Sequence, residues 1–352
     1  MKIKELFEDF KPDIYRIQRP YIIAEAGVNH ECKMDIARRL IEEAAEGGAD
    51  AIKFQTYKAE TIAAKDSPSY WDRSKEPTDS QYKLFKKYDK FWKNEFEQLK
   101  NYCDDCNIEF LSTPFDVESA DFLNDLMDVY KISSSDLNNK PFIEYICGFG
   151  KPVILSTGAS YLDEIREAVD WIDAKGNPVA LLHCILNYPT DNSNANLAMI
   201  KDLQHKFPDK MIGYSDHTLP ADMEALTIAA LLGAELLEKH FTHDKSLPGN
   251  DHYHAMDMHD LKVFNKKLDA IFELLGSHQK TSLESEEISR KNARRSLVAT
   301  REIPEGKIIE AADLTWKRPA YGISPRHINE IIGKKATRSI YEDEVIQREM
   351  FI

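Results

Sequence analysis

The chain has 352 residues, 42% hydrophobic and 30% charged, which is enough apolar material for a sizeable core in one large domain plus a small one, or in two medium domains. Its formal charge is −14, from 60 acidic against 46 basic residues, which argues against a nucleic-acid binder, whose affinity rests on a basic surface. No run approaches the ~18 consecutive apolar residues of a membrane-spanning helix. The five cysteines (Cys32, Cys103, Cys106, Cys147 and Cys184) make no disulfide framework, and the CxxC spacing of Cys103 and Cys106 lacks the second pair of a zinc site. A reducing cytoplasm is the simplest compartment.

The N-terminal MKIKELFEDFKPDIYRI is charged throughout and does not read as a signal peptide. From residue 21 onward, short apolar, β-branched runs alternate with amphipathic stretches. The runs are 21–25, 51–55, 108–112, 129–133, 152–156, 179–184, 211–215 and 236–240. Helical periodicity lies between them, over 35–47, 95–106, 117–126, 141–149, 161–174, 197–207, 221–232 and 258–275. Strands alternating with helices predict βαβ units and a parallel sheet. Eight such units match a (β/α)8 TIM barrel over residues 1–275. A doubly wound sheet is the competitor, but no GxGxxG fingerprint follows the first run.

One connection, 56–91, is long and aromatic-rich with no clean period. A lid or binding loop at the barrel mouth and a bland surface excursion both fit it. After Leu275 the texture turns polar, which predicts a linker over 276–292. The last segment, 293–352, reads as a small β-rich domain with strand signals at 295–300 and 333–340. It is near the lower size limit for independent stability, so docking on the barrel or on a partner chain is expected.

Barrel enzymes work at the C-terminal ends of their strands, and here those ends are polar: Glu25, Lys53 and Gln55, Ser112 and Thr113, Lys131 and Ser134, Ser156, Tyr188 beyond the sixth run, Ser215 and His217, and His240. A lysine inside a barrel strand is costly to bury unless it meets an anion. Lys53 and Lys131, ringed by Ser112, Thr113, Ser134, Ser156 and Ser215, predict a phosphate and carboxylate pocket. The alternative is that each hydroxyl merely caps a helix. His217 and His240 end the seventh and eighth runs, close enough to share a divalent metal; two separately hydrogen-bonded histidines are the other reading. Glu25 is a general base, a substrate acceptor or a lysine partner, with nothing in the sequence to rank these.

With these residues in view, the chain resembles the sialic acid synthase family, meaning N-acetylneuraminate synthase with its legionaminate and pseudaminate relatives. The motifs are IIAEAGVNH (22–30), ADAIKFQT (49–56), FLSTPFD (110–116), YKISSSDLNN (130–139), GKPVILSTG (150–158), IGYSDHT (212–218) and LLEKHFTHDKSLPGNDH (236–252). RRSLVATREIPEG (294–306) and the segment 317–322 look like the family's antifreeze-like (SAF) domain.

The resemblance implies that phosphoenolpyruvate adds through C3 to the aldehyde of an N-acetylmannosamine-type sugar, giving a nine-carbon 2-keto acid and phosphate. It implies a divalent metal on His217 and His240, manganese by preference, with magnesium or cobalt as alternatives. Lys53, Thr113, Lys131, Ser134, Ser156 and Ser215 would hold phosphoenolpyruvate. Gln55, Asp136, Tyr188 and Asp251 would face the sugar, and Glu25 the reacting carbons. Arg318 matches an arginine that enters the partner's site in a domain-swapped homodimer.

The sequence departs from the family pattern at Leu186, where an Asn is usual, at Gly249-Asn250-Asp251-His252 for GPDH, and at Arg318-Pro319-Ala320 for RPG. All but the first of these changes fall on the sugar side, which leaves open N-acetylmannosamine or a 6-deoxy diacetamido sugar. Two other readings remain: a Schiff-base aldolase with Lys53 or Lys131 as nucleophile, and a non-enzymatic ice- or glycan-binding protein.

Overall fold

The computed structural model describes residues 2–13, 17–249 and 251–352. The chain divides into two compact units, Met1–Gly276 and Ser277–Ile352. In the first, all eight apolar runs are strands: β1 (Tyr21–Gly27), β2 (Ala51–Thr56), β3 (Glu109–Pro114), β4 (Tyr130–Ile132), β5 (Val153–Ser156), β6 (Val179–Cys184), β7 (Met211–Asp216) and β8 (Leu236–His240). They form one parallel sheet in the order β3-β2-β1-β8-β7-β6-β5-β4. Its two ends, β3 and β4, lie in contact and complete the ring. The architecture is a TIM-type barrel.

Both faces of every strand are covered, which is why the runs read as continuously apolar. Alternate residues point outward against helices. The helix Met34–Gly47 shows how: Ala37, Leu40, Ile41 and Ala44 are buried at three- and four-residue spacing, each large side chain contributing about 2 kcal/mol. Gly48 ends it with φ of 88°, its N–H bonding back to Ala44 and Ala45 carbonyls, a left-handed stop that favours glycine. The intervening residues point into the barrel. Ile23, Ala51, Leu111, Val129, Ile154, Leu182, Met211 and Leu236 fill its lower half. At Gly213, a Cβ would sit 2.5 Å from the Leu236 carbonyl oxygen and from Leu182 Cδ2, so the interior has no room for one.

An unexpected helix, Ile3–Asp9, buries Ile3 and Leu6 in this same lower cluster. It is too short and charged to announce itself by periodicity. The predicted helix at 221–232 begins only at Glu224, after Ala221 and Met223 take left-handed φ values of 38° and 58°. The 56–91 connection, read as aperiodic, contains helices Ala59–Ile62 and Gln81–Tyr88 and a bridge pairing Pro68 with Ser80.

In the second unit, β9 (Ser296–Ala299) pairs antiparallel with β10 (Leu314–Lys317). Leu297, Ala299, Ile303, Ile309, Ile340 and Ile346 make its core. Asp313, fully buried, is held by Arg301 at 2.7 Å and Lys307 at 2.6 Å. The strand signal at 333–340 resolves into single bridges at Lys335, Ala336 and Ile340 rather than a strand. The stretch 276–292 is not featureless: it carries the helix Glu287–Ala293. Among the described residues, no helix is long and apolar enough to cross a membrane, and all five cysteines are free.

Candidate active site

The inward alternation that fills the lower barrel with apolar side chains continues upward into a polar layer. Two residues above Ile23 stands Glu25; two above Ala51, Lys53; two above Leu111, Thr113; two above Val129, Lys131; two above Ile154, Ser156. On the remaining strands the same step reaches Cys184, Ser215 and Glu238. These side chains line a narrow cavity, with Gln55, Ser134, Leu186, Tyr188, His217 and His240 at its upper wall.

Four opposed charges dominate it. Lys53 Nζ lies 2.5 Å from Glu25 Oε2, 3.0 Å from Thr113 Oγ1 and 3.7 Å from Glu238 Oε1. Lys131 Nζ donates to Glu238 Oε1 at 3.3 Å, and Ser215 Oγ donates to the same oxygen at 3.2 Å. Gln55 Nε2 donates to Glu25 Oε1 at 3.0 Å. All four charged groups are buried. With both carboxyls ionised the four charges cancel, and a proton on Glu25 leaves the cavity one net positive charge.

Their environments push the two carboxyls apart. Burial raises Glu25 to about 7, with Lys53 offsetting only part of it. Burial acts on Glu238 too, but Lys131 and Lys53 outweigh it and hold that carboxyl down at about 2. Glu238 therefore stays ionised as the lysines' counter-ion, while Glu25 is the carboxyl that exchanges a proton near neutrality. Burial lowers Lys53 as well, but Glu238 and Glu25 overcome it and keep the ammonium above its ordinary value. Lys131 ends below its ordinary value, burial exceeding the pull of Glu238.

His217 and His240 stand with ring centroids 5.3 Å apart. His217 Nδ1 donates to the Ile185 carbonyl at 2.7 Å, which fixes the tautomer and leaves Nε2 with its lone pair. His240 Nδ1 is buried without a hydrogen-bond partner among the described residues, with Asp251 Oδ2 at 3.6 Å. Burial presses His217 to about 4 and His240 well below its ordinary value. Two neutral imidazoles with free ring nitrogens fit a divalent cation. Among the described residues, no cluster of three or more His, Cys, Asp or Glu has ligand geometry, so such an ion would keep positions for water and substrate.

Outward of this cavity lies a second chamber, sharing Gln55, Tyr188 and His240 with the first. The 56–91 loop builds much of its wall through Tyr57, Tyr70, Trp71, Leu84, Phe85 and Tyr88. The loop therefore covers the mouth and is not a remote excursion. Trp71 is anchored by its Nε1, which donates to the Glu76 carbonyl at 3.0 Å. Tyr70 approaches Tyr188 at 6.4 Å, and Tyr188 packs at 4.1 Å on His217.

Twelve of the fourteen residues singled out in sequence meet around these two chambers. Asp136 does not. It sits in the turn Ser134–Asp136 and accepts from Asn139 at 2.9 Å, outside both linings. Arg318 lies exposed in the second unit, just past β10. Ser112 points outward and bonds Thr56 at 2.6 Å, since it is one residue out of phase with Thr113. Ser156 is no helix cap: its Oγ is buried and unpaired among the described residues. Leu186 lines the inner wall where the family pattern has an amide, and Asn250 lies outside the described residues. Sequence reading passed over Glu238, Cys184 and His254. The last is fully buried with its ring 5.1 Å from that of His240.

A parallel barrel that gathers buried opposed charges at the C-terminal ends of its strands has the build of an enzyme rather than of a binding scaffold. The chain belongs to the NeuB family, whose model matches residues 40–280, and a SAF-domain model matches residues 294–352. It is 38% identical to the N,N'-diacetyllegionaminic acid synthase of Campylobacter jejuni, over 94% of this chain and 100% of that one. It is 31% identical to the human N-acetylneuraminate-9-phosphate synthase, over 94% and 92%. Among solved structures, the N-acetylneuraminic acid synthetase of Leptospira borgpetersenii, in complex with citrate, superposes with a TM-score of 0.69 at 35% identity, covering 77% of this chain and 90% of that one. The chain is thus a synthase of this family.

Proposed function

We propose that the enzyme condenses phosphoenolpyruvate with an open-chain sugar of the N-acetylmannosamine type. Carbon 3 of phosphoenolpyruvate bonds to the aldehyde carbon, and the aldehyde oxygen takes a proton. Water adds at carbon 2, the C–O bond to phosphate breaks, and a nine-carbon 2-keto acid and phosphate leave. The observation that carries this reading is the buried cavity of two lysines and two carboxyls, ringed by hydroxyls and opening beside two neutral imidazoles.

Lys53 and Lys131 attract the substrate's carboxylate and phosphate, and Thr113, Ser134, Ser156 and Ser215 supply hydroxyl donors. The unpaired Ser156 Oγ is ready for such a bond. Glu238 keeps both ammonium groups in place. Glu25, poised near neutrality, holds or releases the proton of the attacking water, or steadies positive charge at carbon 2. His217 and His240 would hold a divalent metal, manganese by preference with magnesium or cobalt as alternatives, which would polarise the sugar aldehyde. Gln55, Tyr188 and Asp251 face the chamber that a sugar would occupy.

The deciding experiment measures phosphate release from phosphoenolpyruvate with N-acetylmannosamine or its diacetamido analogue and manganese, repeated after chelation. Sugar-dependent release that stops with chelator is expected. Release that survives thorough chelation removes the metal from the reading, and no release with any acylamino sugar removes the reading itself.

The proposal includes a domain-swapped homodimer in which Arg318 of one copy completes the sugar site of the other, acting in the cytoplasm. Arg318→Ala is then expected to raise the sugar KM at least tenfold, on the order of one lost charge-assisted contact. An unchanged KM would place the arginine outside the site.

A further inference from the structure

His254 takes no part in the function proposed above, yet its surroundings are built. It is fully buried. Met256 N–H donates to the His240 carbonyl at 2.8 Å, and Thr242 N–H donates to the Met256 carbonyl at 2.9 Å. These bonds lace the segment that carries His254 to the end of β8. Three rings close around the imidazole: His240 at 5.1 Å, Tyr253 at 5.2 Å and Tyr188 at 5.8 Å. The Tyr253 hydroxyl in turn donates to the Tyr188 carbonyl at 3.1 Å. Backbone and packing together hold the His254 ring beside that of His240.

Burying an imidazole costs free energy unless its nitrogens are bonded. His183, also buried, meets that demand with the Ala195 carbonyl at 2.8 Å. Neither nitrogen of His254 has a hydrogen-bond partner among the described residues. What it faces is a carboxylate: Asp251 Oδ1 lies 3.7 Å from His254 Nε2. The other oxygen, Oδ2, lies 3.6 Å from His240 Nδ1. Asp251 thus stands between two imidazoles with one oxygen toward each. Both spans slightly exceed a hydrogen bond, a gap that a small side-chain movement closes, as bonds within a site do when substrate arrives.

A carboxylate at Nδ1 decides which nitrogen of His240 carries the proton, leaving the Nε2 lone pair for a cation. The Ile185 carbonyl does the same for His217. Asp251 sits on the loop beyond β8 and also lines the outer chamber, so it can serve His240 only if its own position is fixed. Among the described residues no three His, Cys, Asp or Glu side chains have ligand geometry, which puts His254 behind the carboxylate rather than at the ion.

We propose that His254 is a positioning residue: it holds Asp251 against His240, and through that carboxylate orients His240 for the divalent cation. The inference rests on the reading of His217 and His240 as the cation's ligands.

The test titrates the full chain with manganese alone and measures binding by calorimetry, with a thermal melt of each variant. His254→Phe keeps the bulk of the ring and removes the donor. Its manganese Kd should rise at least about tenfold, the scale of losing a partner behind a metal ligand. His254→Gln keeps an N–H donor at similar reach and should bind close to the parent. Asp251→Ala should show a loss like that of His254→Phe, and the two combined should lose no more than the worse one, because the first acts through the second. If the phenylalanine variant does not fold, His254→Leu takes its place. Manganese bound by His254→Phe as tightly as by the parent overturns the inference and leaves the metal reading standing. A glutamine variant as weak as the phenylalanine one also overturns it, since the effect is then packing. So does a double variant whose loss is the product of the two single losses, because His254 then acts apart from Asp251. A parent that binds neither manganese, magnesium nor cobalt sinks the metal reading and this inference with it.

Discussion

Lys53→Met is expected to lower kcat/KM for phosphoenolpyruvate about a thousandfold, the scale of losing a buried charge-assisted donor at an anion site. Lys53 touches Glu25, Glu238 and Thr113, whereas Lys131, among the described residues, has Glu238 as its one ion-pair partner. With Lys53 gone, the incoming anion loses one of the cavity's two ammonium groups, and Glu25, relieved of the cation that offsets its burial, takes a proton and can no longer act as a base. Methionine has similar length and keeps the packing, so the loss reads charge rather than volume. Lys131→Met, which removes the other ammonium beside Glu238, is compared with it. Steady-state phosphate release measures both variants, and a Lys53→Met enzyme within tenfold of the parent would remove the anion pocket from the mechanism. An aldolase with a nucleophilic lysine also predicts inactivity, so the wild-type enzyme should be treated with pyruvate and borohydride. A trapped adduct would mean covalent rather than electrostatic use of the lysine.

Much of the barrel and its polar rim is legible in the sequence, because strand geometry is a period-two code. Glu25, Lys53, Lys131, Ser215 and His240 interrupt apolar runs at inward positions, and burial there demands a charged or hydrogen-bonded purpose. The same parity would have separated Ser112, which faces outward to Thr56, from Thr113. It would also have found Glu238, two residues before His240 on the same face, and Cys184, two after Leu182. Asp136 stands in the turn Ser134–Asp136 and lines neither chamber, although Ser134 of the same turn lines the inner one. The aromatic wall of the 56–91 loop has no local signature. Its short helices are set by packing over the barrel mouth rather than by propensity, so Trp71 and Phe85 become meaningful only in three dimensions. His254 was invisible likewise, since nothing in its spacing tells of the ring of His240 beside it.

Asp216→Ala is expected to destabilise the barrel unit by about 3–5 kcal/mol, the usual cost of stripping one partner from a buried ion pair. Asp216 Oδ2 accepts from Lys239 Nζ at 2.7 Å, and Oδ1 accepts from the Tyr214 hydroxyl at 2.9 Å and the Thr218 N–H at 2.8 Å. Asp216 and Lys239 are 2% and 1% exposed, so water cannot replace the lost carboxylate. They face outward from β7 and β8 and line neither chamber. The damage should therefore appear in a denaturant midpoint and not in the KM for phosphoenolpyruvate. Burial pushes the Asp216 carboxyl up, but Lys239 outweighs it and holds it below the ordinary range. Its contribution is thus present above the unfolded pKa of about 3.9 and lost as pH falls through the lower folded value. The gap between parent and variant should close in that acid window. A second variant separates charge from packing: adding Lys239→Met to Asp216→Ala removes the orphaned ammonium and should recover a large part of the loss. If the single variant loses less than about 1 kcal/mol, the level of an exposed pair, the network between β7 and β8 does not stabilise the barrel. A double variant as unstable as the single one would assign the cost to lost packing and the Tyr214 and Thr218 bonds, not to the unpaired lysine.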